Sequence, residues 1–377
     1  MNRPRRWDPC ISHRGDDAVR FVEEYFAKDD RRIQLIAGAG FDPRTSQLPQ
    51  ILSKAAGPRL SALFIREERP SPAKEIVDVA DANEKSLRGL CAGCAVERLD
   101  IFDIDEAAVG GRRATALLNK LLTLANITDV ILDCSALSVG VFFPIAKYLY
   151  QRAGGNSGLN LHVAVLDNPK TDGAIVAESC GKASPLHAFQ GGLNLDSMTD
   201  AARLWLPQLG PGKREVLRLV HQLVKPHAVC PILPFPATHP RDPDQLIEEY
   251  GDLFDSIGDP FETTWHVDTR DLVFAHQKNP VDLYRTILRI DDARTPVFEA
   301  MGRSQLILSP MGNKALSLGI LMAALERDFA VVSVESIAYN VNFTVLNSVA
   351  ASSGELVHIW LHGDAYVGQS SKEGLSQ

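Results

Sequence analysis

The sequence predicts an α/β protein with two Rossmann-like, doubly wound, mostly parallel sheets in tandem. Three observations lead there. Short apolar runs alternate with amphipathic helical stretches along most of the chain. Several of these runs end in a glycine- or serine-rich turn that opens directly into a helical pattern, Gly38-Ala39-Gly40 being the first. The succession of strand, glycine turn, helix, proline-marked break and strand occurs around residues 33–70 and again around 202–233, the pattern an internal duplication would leave. Right-handed crossovers between parallel strands complete the expectation.

The totals agree with this class. A chain of 377 residues, 45% hydrophobic and 23% charged, has the length and composition of two ordinary globular domains. A net charge of −8 argues against a general nucleic-acid surface. The N-terminal MNRPRRWDPC is basic without the apolar stretch of a signal peptide, and no apolar run approaches the roughly 20 residues of a membrane span, so a cytoplasmic protein is expected. The cysteines at 10, 91, 94, 134, 180 and 230 form no paired framework. Cys91-Ala92-Gly93-Cys94 lacks the second pair that a zinc site needs, so structural or incidental thiols are the expectation.

In chain order, Asp16 to Ala27 places Val19, Phe21, Val22, Tyr25 and Phe26 on one helical face, with acids at its start and, before it, His13, which reads as a solvated cap more readily than as a functional residue. Strands are predicted at 33–37, 60–65, 98–104, 129–132 and 159–166, with helices at 45–56, 81–90, 112–125 and 140–152 between them. This makes a first domain over 1–166. Residues 167–200, rich in Gly, Ser, Asp and Pro, read as a linker, with or without an irregular strand in it. The second domain, 201–363, begins with 202–209 and Gly210-Pro211-Gly212-Lys213. Helices follow at 214–225, 244–255, 281–290 and 315–327, with strands at 229–233, 264–267, 305–308, 330–334 and a closing 356–361. Residues 364–377 read as a loose tail.

Four strand-end loops carry the candidate chemistry: Gly38 to Arg44, Asp133 to Ser138, Gly210 to Lys213 and Ser309 to Lys314. All four should lie at carboxyl edges of parallel strands, where open α/β sheets bind ligands. Gly38 and Gly40 permit close backbone approach, Arg44 offers a planar fork for phosphate or carboxylate, and Asp42 could orient Arg44, take a ribose hydroxyl or cap the next helix. Glu67, with Glu68, stands at the end of the second strand, where an adenosine cofactor would have its ribose bound. Asp133 follows the fourth strand beside Cys134 and Ser135, a segment that reads as a buried thiol and a helix cap more readily than as a nucleophile. Lys213 and Lys314 open helices, where a cation is unfavourable unless an anion joins it; Gly210, Gly212, Gly312 and Asn313 shape those turns.

The segment GAGFDPR resembles the cofactor loop of class I S-adenosylmethionine-dependent methyltransferases, of the carboxyl-methyltransferase type. That resemblance implies an adenosine cofactor on the loop with Glu67 or Glu68 at its ribose; no Asn-Pro-Pro-aromatic catalytic segment accompanies it. SPMGNK followed by an apolar helix resembles the ligand loop of CARF domains, Rossmann-like sensors of cyclic oligonucleotides in prokaryotic antiviral systems, with Asn313 at the place of the usual small hydroxyl residue. That resemblance implies a nucleotide sensor in a defence setting. GPGK is not a P-loop, and GxSxG and HExxH are absent. His221 reads as packed or solvated, like His227 near it. His358 and His362, four apart on a strand, stand about 13 Å apart, too far to share a metal.

Three functions follow. The first is a nucleotide-binding sensor or accessory protein. The second is an enzyme using S-adenosylmethionine or another adenosine cofactor, and the third is a ligand-free interaction scaffold. The acidic composition and the proline-rich 231–243 loop suit a protein partner or a second copy of the chain.

Overall fold

The computed structural model describes the chain except for residues 1–4, 92, 156–157, 194–200, 255–264, 266, 300–303, 350–353 and 367–377. The chain divides into two compact units, one formed by residues 7–178 and 336–377, the other by 1–6 and 179–335.

In the first unit, β1 (Ser12–Arg14) and α1 (Asp16–Tyr25) lead into the central strand β2 (Ile33–Gly38). There follow α2 (Gln47–Ala56), β3 (Leu60–Glu68), α3 (Lys74–Arg88), β4 (Gly93–Asp100), α4 (Gly110–Leu121), β5 (Asp129–Asp133), α5 (Val139–Gly154), β6 (Asn160–Asp167) and α6 (Pro169–Ala174). β5 and β6 are buried along their whole length, as parallel strands covered on both faces must be.

The chain continues through β7 (Ile175–Pro185), then β8 (Ala202–Gln208), α7 (Arg214–Val224), β9 (Ala228–Val229), β10 (Ile232–Pro234), α8 (Asp242–Phe254), β11 (Val273–Ala275), α9 (Pro280–Glu299), β12 (Ser304–Pro310) and α10 (Lys314–Arg327). Every residue of α10 from Ala315 to Ala324 is buried, so this helix is apolar all round and sits inside its unit. A Cβ at Gly319 would lie 2.3 Å from the Pro280 carbonyl, so glycine lets α10 approach the start of α9. β13 (Ala330–Val341), α11 (Phe343–Val349) and β14 (Glu355–His362) complete the elements.

The sheet orders are β1-β14-β6-β5-β2-β3-β4 and β11-β10-β8-β12-β13-β7, with β9 also on β8. The parallel strands β2 to β6 take the order third, second, first, fourth, fifth. The strands β8, β10, β11, β12 and β13 repeat it, and the four pairings between them are parallel. That is the doubly wound order, and it occurs twice, so the α/β fold of two Rossmann-like sheets stands.

Several boundaries differ from the sequence expectation. The third strand is Gly93–Asp100 and not 98–104, because its pairing with β3 runs from Ser61 opposite Gly93 to Glu68 opposite Asp100. Beyond it the amides of Val109 and Gly110 both donate to the Ile101 carbonyl and fold the chain back. α3 begins at Lys74, well before 81. The expected linker 167–200 contains α6, which Asn168 caps by accepting from the amides of Lys170 and Thr171, and β7. The strand expected to close the second sheet, β14, instead pairs antiparallel with β6 and β1 in the first. Of the strand expected at 264–267, residues 264 and 266 lie outside the described residues, while Trp265 is a buried core residue with no strand pairing. In the tail, Asp364–Tyr366 is a short 3-10 turn and 367–377 lie outside the described residues. Cys91 and Cys94 form a disulfide between the end of α3 and the start of β4. No helix among the described residues is long and apolar enough to cross a membrane.

Candidate ligand-binding site

The strand order places the first unit's switch point between β2 and β5, so the turns after these strands are where a ligand is expected. The two turns touch. A Cβ at Gly38 would lie 2.6 Å from the Ala136 carbonyl oxygen, so only glycine allows this approach. Thr45 donates its hydroxyl to the Gly38 carbonyl and closes the turn from the other side.

Asp42 caps the short 3-10 helix Pro43–Ser46, its Oδ1 accepting from the Arg44 amide at 2.9 Å. The Arg44 guanidinium lies on the same carboxylate through Nε at 3.0 Å and Nη2 at 2.7 Å, and on Asp172 through Nη1 at 2.8 Å. Its side chain is 4% exposed. Burial opposes its charge, but the two carboxylates raise its pKa above the ordinary arginine value. Arg44 therefore spends its fork on this chain's own acids, and Asp42 stands where a helix N-terminus would take an anion.

Asp133 likewise faces inward. Its Oδ1 accepts from the Ser135 amide at 2.9 Å and from the Ser135 hydroxyl, which itself accepts from the Leu166 amide at 2.8 Å. Cys134 is fully buried beside them. Ser138 stands at the N-cap position of α5 without a side-chain capping bond, and its amide donates to Glu67 Oε1 at 2.7 Å. Glu67 Oε2 accepts from Arg69 at 2.9 Å. Each Glu67 oxygen keeps a second lone pair.

Beside this closed switch point lies an open cleft. It is shallow and open to solvent. Gly40 and Phe41 of the glycine turn, the strand end Arg66 to Arg69, Ile76, Val77 and Ala80 of α3, and Ile337 to Tyr339 of β13 line it. The Phe41 and Tyr339 rings lie 5.4 Å apart, and the Arg69 guanidinium sits 4.8 Å over Tyr339 while donating to the Ser336 carbonyl at 2.8 Å. Arg66, which also lines it, pairs with Glu68, Asp81 and Glu84. Of the expected residues, Gly40 and Glu67 line this cleft, whereas Gly38, Asp42, Arg44 and Asp133 build the turn next to it.

The second unit repeats the closure. A Cβ at Gly210 would lie 2.8 Å from Gly312 Cα, and one at Gly312 would lie 2.5 Å from the Leu209 carbonyl oxygen. Gln208 clamps the pair of turns, donating to the Asn313 carbonyl at 2.9 Å and accepting from Ser317 at 2.8 Å. Asn313 caps α10 by accepting from the Leu316 amide at 3.0 Å, and Lys314 is its first residue. Gly212, at φ 69°, donates its amide to Glu249 at 2.8 Å, and the Lys213 amide donates to the Tyr250 hydroxyl at 2.9 Å. Burial lowers the Lys213 pKa. Glu249 thus takes a turn amide in this unit much as Asp42 does in the first.

The remaining histidines are structural in part. His221 stacks on Trp265 with ring centroids 5.0 Å apart, and His227 Nδ1 accepts from the Arg203 amide at 3.1 Å. His13 is no solvated cap: it lies in β1 and joins His358, His162 and Asp129 in a hydrogen-bonded row that the sequence reading missed. Its sequence trace is a histidine or aspartate in three separate predicted strands and a fourth, His13, before the first predicted helix. No cluster of three or more His, Cys, Asp or Glu among the described residues could hold a metal.

No family model and no curated protein matches the chain. Among solved structures it is similar to a protein assigned to the universal stress class from Pseudomonas aeruginosa UCBPP-PA14. The identity is 8%, over 87% of this chain and 98% of that chain, with a TM-score of 0.21. A likeness at that level carries no argument about function.

Proposed function

We propose that the protein binds a nucleoside-type small molecule in the first-unit cleft and acts as a sensor or accessory component. The observation that carries this reading is the cleft itself: an aromatic wall of Phe41 and Tyr339, an aliphatic floor from α3, and Glu67 at the end of the second parallel strand. Such a wall suits a planar base, and a carboxylate at that strand end suits ribose hydroxyls. Asp42 and Arg44 already neutralise one another on the adjoining turn, which favours a ligand with no phosphate there. Adenosine-containing cofactors without a diphosphate, S-adenosylmethionine among them, fit that condition. The CARF-like reading of Gly312 to Lys314, and with it a prokaryotic antiviral setting, is the proposal that cyclic oligonucleotides test. A ligand-free scaffold is the second reading, favoured by the closure of both switch points.

The test is a thermal-shift and calorimetric comparison of adenosine, S-adenosylmethionine, ATP, NAD and cyclic oligonucleotides. A ligand at 100 times its Kd stabilises by about 2.7 kcal/mol. Binding of an adenosine compound that Tyr339→Ala or Phe41→Ala weakens about tenfold or more supports the cleft, since a stacked base contributes roughly 1–3 kcal/mol. Binding that needs Lys213 or Lys314 instead moves the site to the second unit. No binding by any compound leaves the scaffold.

A further inference from the structure

Four side chains on four neighbouring strands of the first sheet form a continuous hydrogen-bonded row. His13 on β1 faces His358 on β14 as its register partner, with Nδ1 to Nδ1 at 3.1 Å. His358 Nε2 lies 2.9 Å from His162 Nδ1 on β6, and His162 Nε2 lies 3.2 Å from Asp129 Oδ1 at the start of β5. Asp129 and His162 are wholly buried and His358 is 1% exposed, whereas His13 is half-buried. The row therefore has one closed end and one end near water.

The closed end fixes the tautomers. An ionised Asp129 accepts a hydrogen bond from His162 Nε2–H, which makes His162 Nδ1 an acceptor for His358 Nε2–H. His358 Nδ1 must then accept from His13 Nδ1–H, leaving His13 Nε2 as the acceptor at the outer end. Asp129 is held as an anion by Tyr25 at 3.2 Å, by Thr128 at 2.6 Å and by Arg31 at 3.8 Å. The other charged groups around the row are Asp17 on α1, Asp364 after β14, and the Arg14–Glu355 pair across β1 and β14. Phe21 of α1 stacks on His13 at 4.2 Å and on His358 at 4.5 Å, so the helix rests on the row.

We propose that this row is a proton-controlled latch that holds β1 and α1 on the sheet edge while its histidines are neutral and releases them when they take up protons. A proton arriving at His13 Nε2 has two places to go. It remains on His13 as a charge next to buried aromatic rings, or it passes inward by inverting each tautomer in turn and ends on Asp129 Oδ1. The second outcome removes the anion to which Tyr25, Thr128 and Arg31 are bonded. A second proton puts two N–H groups face to face at one joint of the row. Each outcome weakens the seat of β1, whose ladder is otherwise three residues long.

The sign follows from burial. All three imidazoles are held below the ordinary histidine value, chiefly by desolvation. The released state therefore binds more protons, and the latch is tight above about pH 6.5 and loosens as pH falls below it. With three sites titrating together, the release equilibrium rises by up to about 1,000-fold per pH unit.

The test is hydrogen exchange of the full chain between pH 8 and 5, corrected for intrinsic exchange, with the imidazole nitrogens followed by NMR. Amides of Ser12 to Tyr25 should lose at least 100-fold in protection between pH 7.5 and 5.5 while those of β3 do not. At pH 7.5 the protonated nitrogens should be Nε2 of His162 and His358 and Nδ1 of His13. His358→Phe should abolish the pH dependence, and His13→Gln, at the half-buried end, should reduce it without threatening the fold. The proposal is overturned if β1–α1 protection is the same at both pH values, if the three rings titrate independently near 6.5, or if His13→Gln leaves the profile of the native chain.

Discussion

Arg44 shows how a residue type can be read correctly and its partner missed. Its planar fork suits a phosphate, and the position after a glycine turn is where a phosphate would be expected. In the structure Asp42 and Asp172 take the fork first. The Asp42 contact lies two residues away and could be weighed from the sequence. Asp172 lies 128 residues further along the chain, and no local pattern announces it. The pair is buried, so its removal is informative. Arg44→Met leaves Asp42 as an uncompensated buried carboxylate, and the expected loss is about 3–5 kcal/mol in urea unfolding. Combining it with Asp42→Asn should recover most of that loss, because a buried pair is costly when broken and not when both charges go. A single substitution that leaves the unfolding midpoint unchanged would show that Arg44 turns outward in solution. The histidine row has the same character: each residue is plain in the sequence, but its neighbours come from strands as far apart as β1 and β14.

Elements were legible where periodicity and turn chemistry are local. β2, β3, β5, β6 and the helices α2, α4 and α5 lie close to where alternation and glycine punctuation put them, and GPGK does open α7. Elements fixed by pairing were not legible. β4 is set by the length of β3, and β1 has three residues that carry no strand pattern of their own. The glycine turn separates the two kinds of information. Gly38 and Gly40 look equivalent in the sequence, yet a Cβ on Gly38 meets a backbone carbonyl at 2.6 Å whereas one on Gly40 meets nothing within 4 Å. Gly38→Val is therefore expected to destabilise by about 1–3 kcal/mol through overpacking against backbone that cannot yield. Gly40→Val is expected to change stability by less than about 0.5 kcal/mol. It narrows the cleft that Gly40 lines, so it should weaken binding of a cleft ligand while the melting curve stays in place. Equal stability loss from both substitutions would contradict the geometry of this turn.

Across the whole chain, a repeated order of elements was visible in the sequence, and the structure shows one strand order twice. What pattern alone could not show is that the last strand returns to the first sheet. β14 is an apolar run like those before it, and nothing in Leu356 to Leu361 names its partner; the register with β6, from Glu355 opposite Asp167 onward, does. The consequence is a discontinuous unit. β1 pairs with β14 and with no other strand of the path, and His358 of β14 joins His13 to His162. A fragment of residues 7–178 would lack β14, leaving β6 as an unpaired edge and β1 without a ladder, a situation that invites aggregation. We expect that fragment to be insoluble or to lack cooperative unfolding. The same fragment joined by a short flexible linker to residues 336–366 restores β14 and Trp360, Trp360 being part of the core with Leu356. It should unfold in a single transition. Cooperative unfolding of residues 7–178 alone would mean that β14 is an accessory strand, and the histidine row would then have no part in holding the first unit together.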